Sequence, residues 1–184
     1  MSAVAVSLVI EPRPPDFYGI DGPIRQMRKY DEFARGLGAA LVVPVPIVEV
    51  PLAAAPQQGI ILFCEQQTSI ADYLAAAPDR KKAAERIFLL DVSRQDVPGV
   101  LEHHGLVGAI EITRFMSWRN DPGNDFGGQV YGRRDVAERM SAVIAPPPWS
   151  GDTYCLFDVP GTRDLPGALA AYLRAYWSAV LGGY

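Results

Sequence analysis

The sequence predicts an α/β fold, a mixed sheet covered by helices, and two features of the chain carry that expectation. Four apolar runs, residues 7–11, 60–65, 87–91 and 154–158, each stop on a carboxylate: Glu11, Glu65, Asp91 and Asp158. Short runs rich in Val, Ile, Leu and Phe are what strands buried on both faces look like. Segments with helical spacing alternate with these runs, so the sheet is layered with helices and the acids gather near strand ends, where such folds often keep their sites.

At 184 residues and 49% hydrophobic content, the chain can bury a substantial core, and its length suits one domain over residues 1–184. The first strand, residues 3–11, breaks at Pro12, Pro14 and Pro15. Asp21 is placed to cap a helix with Pro23 in its first turn. Apolar residues at Ile24, Met27, Tyr30, Phe33 and Leu37 continue that helix, and Gly36 and Gly38 are expected to end it. Residues 41–50 alternate β-branched residues with Pro44 and Pro46; proline cannot donate to a ladder, so this is an edge strand. After a loop over 51–59, residues 60–65 read as a central strand. Thr68 or Ser69 caps the next helix, Pro78 and Asp79 restart it, and residues 87–92 form another buried strand. The order β-α-β-β-α-β is that of a ferredoxin-like first half. A βαβα second half is appended: a short helix over 97–104, a long strand over 107–118, a polar glycine-rich loop over 117–134, a helix over 133–144, a strand over 153–159 and a closing helix over 165–181. That last helix is apolar almost all round, which suits deep burial in the domain or a homo-oligomer contact through the C-terminal helix.

Charge excludes some functions. The formal net charge is only −4, and Lys and Arg are scattered, so the basic stripe needed to neutralise phosphates is missing and nucleic acid is not an expected partner. No run approaches the roughly 20 apolar residues that span a bilayer, and residues 1–10 read as a strand rather than a signal peptide; no membrane and a cytoplasmic location are expected. Cys64 and Cys155 lie inside strand-like runs, as small buried hydrophobes. Abundant alanine, glycine and proline with three lysines suggest a chain encoded by GC-rich, bacterial DNA.

Candidate sites are few. If the strands are parallel, Glu11, Glu65, Asp91 and Asp158 share one edge and could hold Mg²⁺ for hydrolysis or group transfer; in the ferredoxin-like arrangement Asp91 moves to the other edge. The structural alternative is that these acids mark where buried strands meet water or cap a following helix. The loop over 117–134 combines flexible glycines with Trp118, Arg119, Asp121, Asp125 and Tyr131, residue types that anchor protein interfaces. It lacks the EF-hand pattern, and no metal or cofactor is expected. His103 and His104, adjacent and about 100° apart on a helix, cannot share a metal and read as surface histidines. No nucleophile elbow, phosphate loop or dinucleotide fingerprint occurs. The sequence therefore points to a cytosolic protein-binding module, an inhibitor or toxin-neutralising immunity protein, contacting another protein through Trp118, Arg119, Asp121, Asp125 and Tyr131. The rival expectation is a small metal-dependent hydrolase or transferase using the strand-end carboxylates.

Overall fold

Strand β1 (Val6–Ile10) lies between β2 (Ile47–Glu49) and β3 (Ile60–Cys64), and all three run parallel. The computed structural model describes residues 3–12, 22–64, 67–90, 97–114, 126–140, 149–150, 154–158 and 165–182. Beyond β3 the sheet continues in parallel through β4 (Ile87–Leu90) and β5 (Gly108–Arg114). It then turns antiparallel through β6 (Phe126–Arg133), β8 (Tyr154–Asp158) and, at the edge, β7 (Trp149–Ser150). The full order is β2-β1-β3-β4-β5-β6-β8-β7.

The α/β class and the mixed sheet are therefore as expected, but the first half is not ferredoxin-like. Its 2-1-3-4-5 parallel order is that of a doubly wound sheet. The difference lies between β2 and β3. Parallel neighbours need a crossover rather than a hairpin, and here the crossover helix is reduced to one 3-10 turn, Leu52–Ala54, which carries no periodicity to read.

Strand residues alternate between two apolar layers. Val6, Leu8, Ile60, Leu62, Phe88, Leu90, Ile110, Ile112 and Val130 meet α1 (Gly22–Leu41), α5 (Arg134–Met140) and α6 (Leu165–Ala179) on one face. On the other, Val9, Ile61, Phe63, Ile87, Leu89 and Ala109 meet the 3-10 turn, α2 (Gln67–Ala76), α3 (Arg80–Glu85) and α4 (Val97–His104). Burial on both faces explains why the central strands read as continuous apolar runs.

Three local expectations are corrected. Helix α1 does not end at Gly36 and Gly38 but runs through both to Leu41. A Cβ on Gly36 would come within 3.3 Å of the Pro166 ring, so this glycine permits close approach of α1 and α6. The loop expected over 117–134 contains strand β6, and its glycines are strand glycines: a Cβ on Gly128 would lie 1.8 Å from the Glu111 carbonyl oxygen. His104, expected on the surface, is buried, while His103 is exposed.

Helix α6 places Leu169, Tyr172, Leu173, Tyr176 and Trp177 inside the chain. Phe88 meets the Tyr176 ring edge-on at 5.0 Å, and the Tyr176 hydroxyl donates to the backbone carbonyl of Glu85. Burial with this geometry holds the phenol well above its ordinary range. Among the described residues, no helix is long and apolar enough to cross a membrane.

Candidate functional site

In a doubly wound sheet the crevice forms beyond the carboxyl ends of the strands, where successive crossovers diverge. Here that point lies between β1 and β3. Glu11 follows β1 and occupies it: one carboxylate oxygen accepts the backbone N–H of Leu52 at 3.0 Å, and the other accepts the Ser69 hydroxyl at 2.8 Å. Leu52 opens the 3-10 turn, and Ser69 stands in the first turn of α2. One carboxylate thus ties the end of β1 to the start of two helices, where anionic groups are stabilised by the orphan N–H groups and the helix dipole. Ser69, expected as an N-cap, instead donates across to Glu11.

From Glu11 a cleft of about 760 Å³ runs over this face of the sheet between the 3-10 turn and helices α2 and α3. Its apolar lining is the buried Leu52 and Ala83 with the more exposed Ala76 and Ala77, and its polar lining includes Gln57, Asp72, Tyr73, Asp79, Lys82 and Arg86. Several of these groups hold the fold together. Asp79 caps α3 by accepting the Lys82 backbone N–H at 3.1 Å. Arg86 donates from Nε to the Gly59 carbonyl and from Nη2 to the Pro56 carbonyl, both at 2.8 Å, which fixes the entry to β3 against the start of β4. Asp72 and Lys82 line the cleft and are exposed.

The four strand-end acids are partly placed. β1, β3 and β4 are parallel, and two antiparallel steps from β5 return β8 to the same direction. All four runs therefore end on one edge of the sheet, including β4, whose successor Asp91 the ferredoxin-like order would have put on the opposite edge. Glu65 and Asp91 themselves lie outside the described residues, as do the sequence-derived contact residues Trp118, Arg119, Asp121 and Asp125. Tyr131 lies in β6, half-buried against the α4 side of the core, with its hydroxyl 3.4 Å from Glu111 Oε2 and from Gln129 Oε1. Glu111, buried in β5, is the register partner of Gln129, which in turn pairs with Asp158. Glu111 and Gln129 share the face that carries Tyr131. Sequence reasoning missed Glu111 and Gln129 because an isolated acid inside an apolar strand and a glutamine among glycines give no periodic signal.

Burial, together with the positive charge of His103 and Arg80, holds the His104 imidazole below its ordinary range. The His103 and His104 rings meet edge to face at 4.8 Å. Asp135 is held low by its hydrogen bonds from Arg133, at 2.6 and 2.8 Å. No group of three His, Cys, Asp or Glu side chains suited to a metal ion occurs among the described residues.

Compared with protein-family models, with curated proteins and with solved structures, the chain matches none.

Proposed function

We propose that this chain is a protein-recognition domain and that a polypeptide segment of its partner lies in the cleft between the 3-10 turn and α2–α3, the mode of capture an inhibitor or immunity protein uses. One observation supports this reading above the others: the charged groups Glu11, Asp79 and Arg86 of the cleft are committed to structure, whereas Asp72 and Lys82, of opposite sign, stand exposed at it. Glu11 has both oxygens occupied, Asp79 caps a helix and Arg86 holds two carbonyls. General acid–base or nucleophilic work needs an unengaged group in reach of the reacting atom. An apolar lining edged by Asp72, Tyr73 and Lys82 suits contact with another chain, in which aromatic and charged side chains fix register over a desolvated centre.

The test fills the cleft from its exposed side. Ala76→Trp and Lys82→Glu are both changes at exposed positions and leave the Glu11 contacts intact. Native lysate passed over the immobilised wild-type chain retains a partner; Ala76→Trp loses at least about 90% of it, a loss of roughly 1.4 kcal/mol in affinity, and Lys82→Glu changes the rate at which it is captured. Equal retention by the wild type and the two variants refutes the assignment of the cleft.

A second reading, metal-dependent chemistry at the strand-end acids, gains support from the parallel order, which brings the ends of β1, β3 and β4 to one edge. A ligand that binds only the folded chain raises the melting midpoint. Under this reading Mg²⁺, Mn²⁺ or Ca²⁺ raises it, and Glu65→Gln abolishes the rise.

A further inference from the structure

Helix α4 is held to the sheet by one short face. Its buried residues are Val97, Leu101 and His104, positions four and three residues apart that fall on one side of a helix. Val97 and Leu101 join the apolar layer that includes Leu106 and Ala109 of β5, and α4 packs on that strand. The third anchor is an imidazole, 5% exposed. It packs as an apolar ring only while it is neutral, because an ionised side chain taken out of water is costly unless an opposite charge meets it.

Among the described residues, the charges that act on this ring are both positive: Arg80, which opens α3, and His103, whose ring stands edge to face with it at 4.8 Å. The acids of the elements around it are Glu102, exposed on α4 itself, and Glu111, buried in β5 on the face that carries Tyr131. A helix C-terminus favours a cation, but the last turn of α4 is already closed by its own cap. The Gly105 N–H donates to the Glu102 carbonyl at 3.1 Å and the Leu106 N–H to the Leu101 carbonyl at 2.9 Å.

We propose that α4 is an acid-sensitive flap: protonation of His104 drives its ring out of the apolar layer and lifts α4 from β5, which uncovers Leu101, Leu106 and Ala109 while the rest of the sheet stays folded. Closure is fully favoured above the ordinary imidazole pKa of about 6.5 and weakens as the pH falls towards that of the buried ring, which burial, His103 and Arg80 hold low. Each opening takes up one proton from solvent, so the opening constant rises by up to about tenfold between about pH 7.5 and pH 5.5. The apolar surface of α4 and β5 is thus offered in acid and withheld at neutral pH. The flap does not rest on the assignment of the cleft, since its apolar contacts are with β5.

Hydrogen exchange of the full chain, read by mass spectrometry and corrected at each pH for the intrinsic amide rates, tests it. The amides of residues 101–106 exchange faster than those of α6, and their protection barely responds to about 1 M urea, the mark of a local opening. Between about pH 7.5 and pH 5.5 that protection falls by about three- to tenfold. His104→Gln removes the fall. His103→Gln, a change at an exposed position, leaves the fold intact and takes away one of the two opposing cations, so the fall is smaller than in the wild type. Equal protection of 101–106 at the two pH values overturns the proposal, and so does a fall that survives both variants unchanged. Exchange of these amides at the same protection and with the same urea dependence as α6 also overturns it, because α4 then leaves the sheet only when the whole chain unfolds.

Discussion

Glu11 is the residue on which the cleft architecture rests, and its replacement gives the sharpest test of that architecture. Glu11→Ala leaves the Leu52 N–H without its acceptor on a residue only 1% exposed. It also strips the half-buried Ser69 hydroxyl of its partner. A hydrogen bond to a charged group contributes roughly 1.5–3 kcal/mol, and a buried donor left unsatisfied costs about the same. The Ser69 hydroxyl can rotate to water or to a helix carbonyl, so the Leu52 bond dominates, and the total loss is about 2–3 kcal/mol. Glu11→Gln keeps a carbonyl oxygen for Leu52 but loses the charge, which places its cost near 1 kcal/mol. With a urea slope of about 2 kcal/mol per M, Glu11→Ala shifts the denaturation midpoint by about 1 M and Glu11→Gln by about half of that. Ser69→Ala alone costs at most about 1 kcal/mol, and the double variant costs less than the sum by about 0.5 kcal/mol or more, because the two residues share one bond. Equal midpoints for Glu11→Ala and Glu11→Gln, or strict additivity with Ser69→Ala, would refute the argument that the carboxylate holds the two helix starts.

Three other expectations follow from single contacts. Gly128→Ala, with φ at +151° and a Cβ placed 1.8 Å from the Glu111 carbonyl oxygen, destabilises the chain by at least about 3 kcal/mol by forcing β5 and β6 apart; a urea midpoint close to that of the wild type would count against the tight crossing. His104 is held below its ordinary value in the folded chain, so the unfolded chain binds more protons, and stability is intact above the ordinary imidazole pKa of about 6.5 and falls as the pH drops through the folded pKa. His104→Gln flattens the dependence of ΔG on pH between about 7 and 5, and an unchanged slope in urea titrations at both pH values would show that another group carries it. Tyr176→Phe removes the donor to the Glu85 carbonyl while leaving the ring against Phe88; it lowers stability by about 1 kcal/mol without changing the slope of the urea transition.

Strand identity was legible in this sequence; strand direction was not. The runs containing Leu62, Phe88 and Leu156 read as strands because hydrophobic side chains must cover both faces of a layered sheet, and the edge position of β2 follows from its prolines. Direction depends on the connections. Between Glu49 and Ile60 the crossover carries a single 3-10 turn, and ten residues with two prolines look the same in sequence whether they return as a loop or cross over. Strand β6 stayed hidden for a different reason. Gly127, Gly128 and Gly132 read as loop residues, yet all three are strand residues paired with β5, and at Gly128 the two backbones come too close for a side chain, as they do at Gly108, the register partner of Gly132, whose Cβ would lie 2.4 Å from the Tyr131 carbonyl oxygen. In the same way Gly36 marks a helix contact with Pro166 rather than a helix end. Of the candidate site, the importance of Glu11 was visible from its place at the end of an apolar run, but its partners Leu52 and Ser69, 41 and 58 residues away, belong to the fold and not to any local pattern.

A carboxylate at the end of a buried parallel strand has two sources of stabilisation: a cation supplied from outside, or the N–H groups that open the following helices. Glu11 accepts the Leu52 N–H and the Ser69 hydroxyl, and these bonds have a consequence for the cleft. Because its oxygens accept from the 3-10 turn and from the first turn of α2, the cleft between those elements is held open by the fold itself rather than by a bound ion. Such a preformed opening avoids an ordering cost when a partner arrives. Under the proposed protein-binding role, what remains for a partner to read is the rim, where Asp72 and Lys82 stand exposed beside Tyr73. Rim charges govern the rate and the specificity of association more than its strength, so under that role the strength comes from the apolar lining, the buried Leu52 and Ala83 and the exposed Ala76. Under the proposed role, Ala76→Trp, which occludes the cleft from its exposed side, therefore lowers the strength of capture, whereas Lys82→Glu acts first on the rate of association and makes it rise, rather than fall, with added salt if the partner presents an acidic surface.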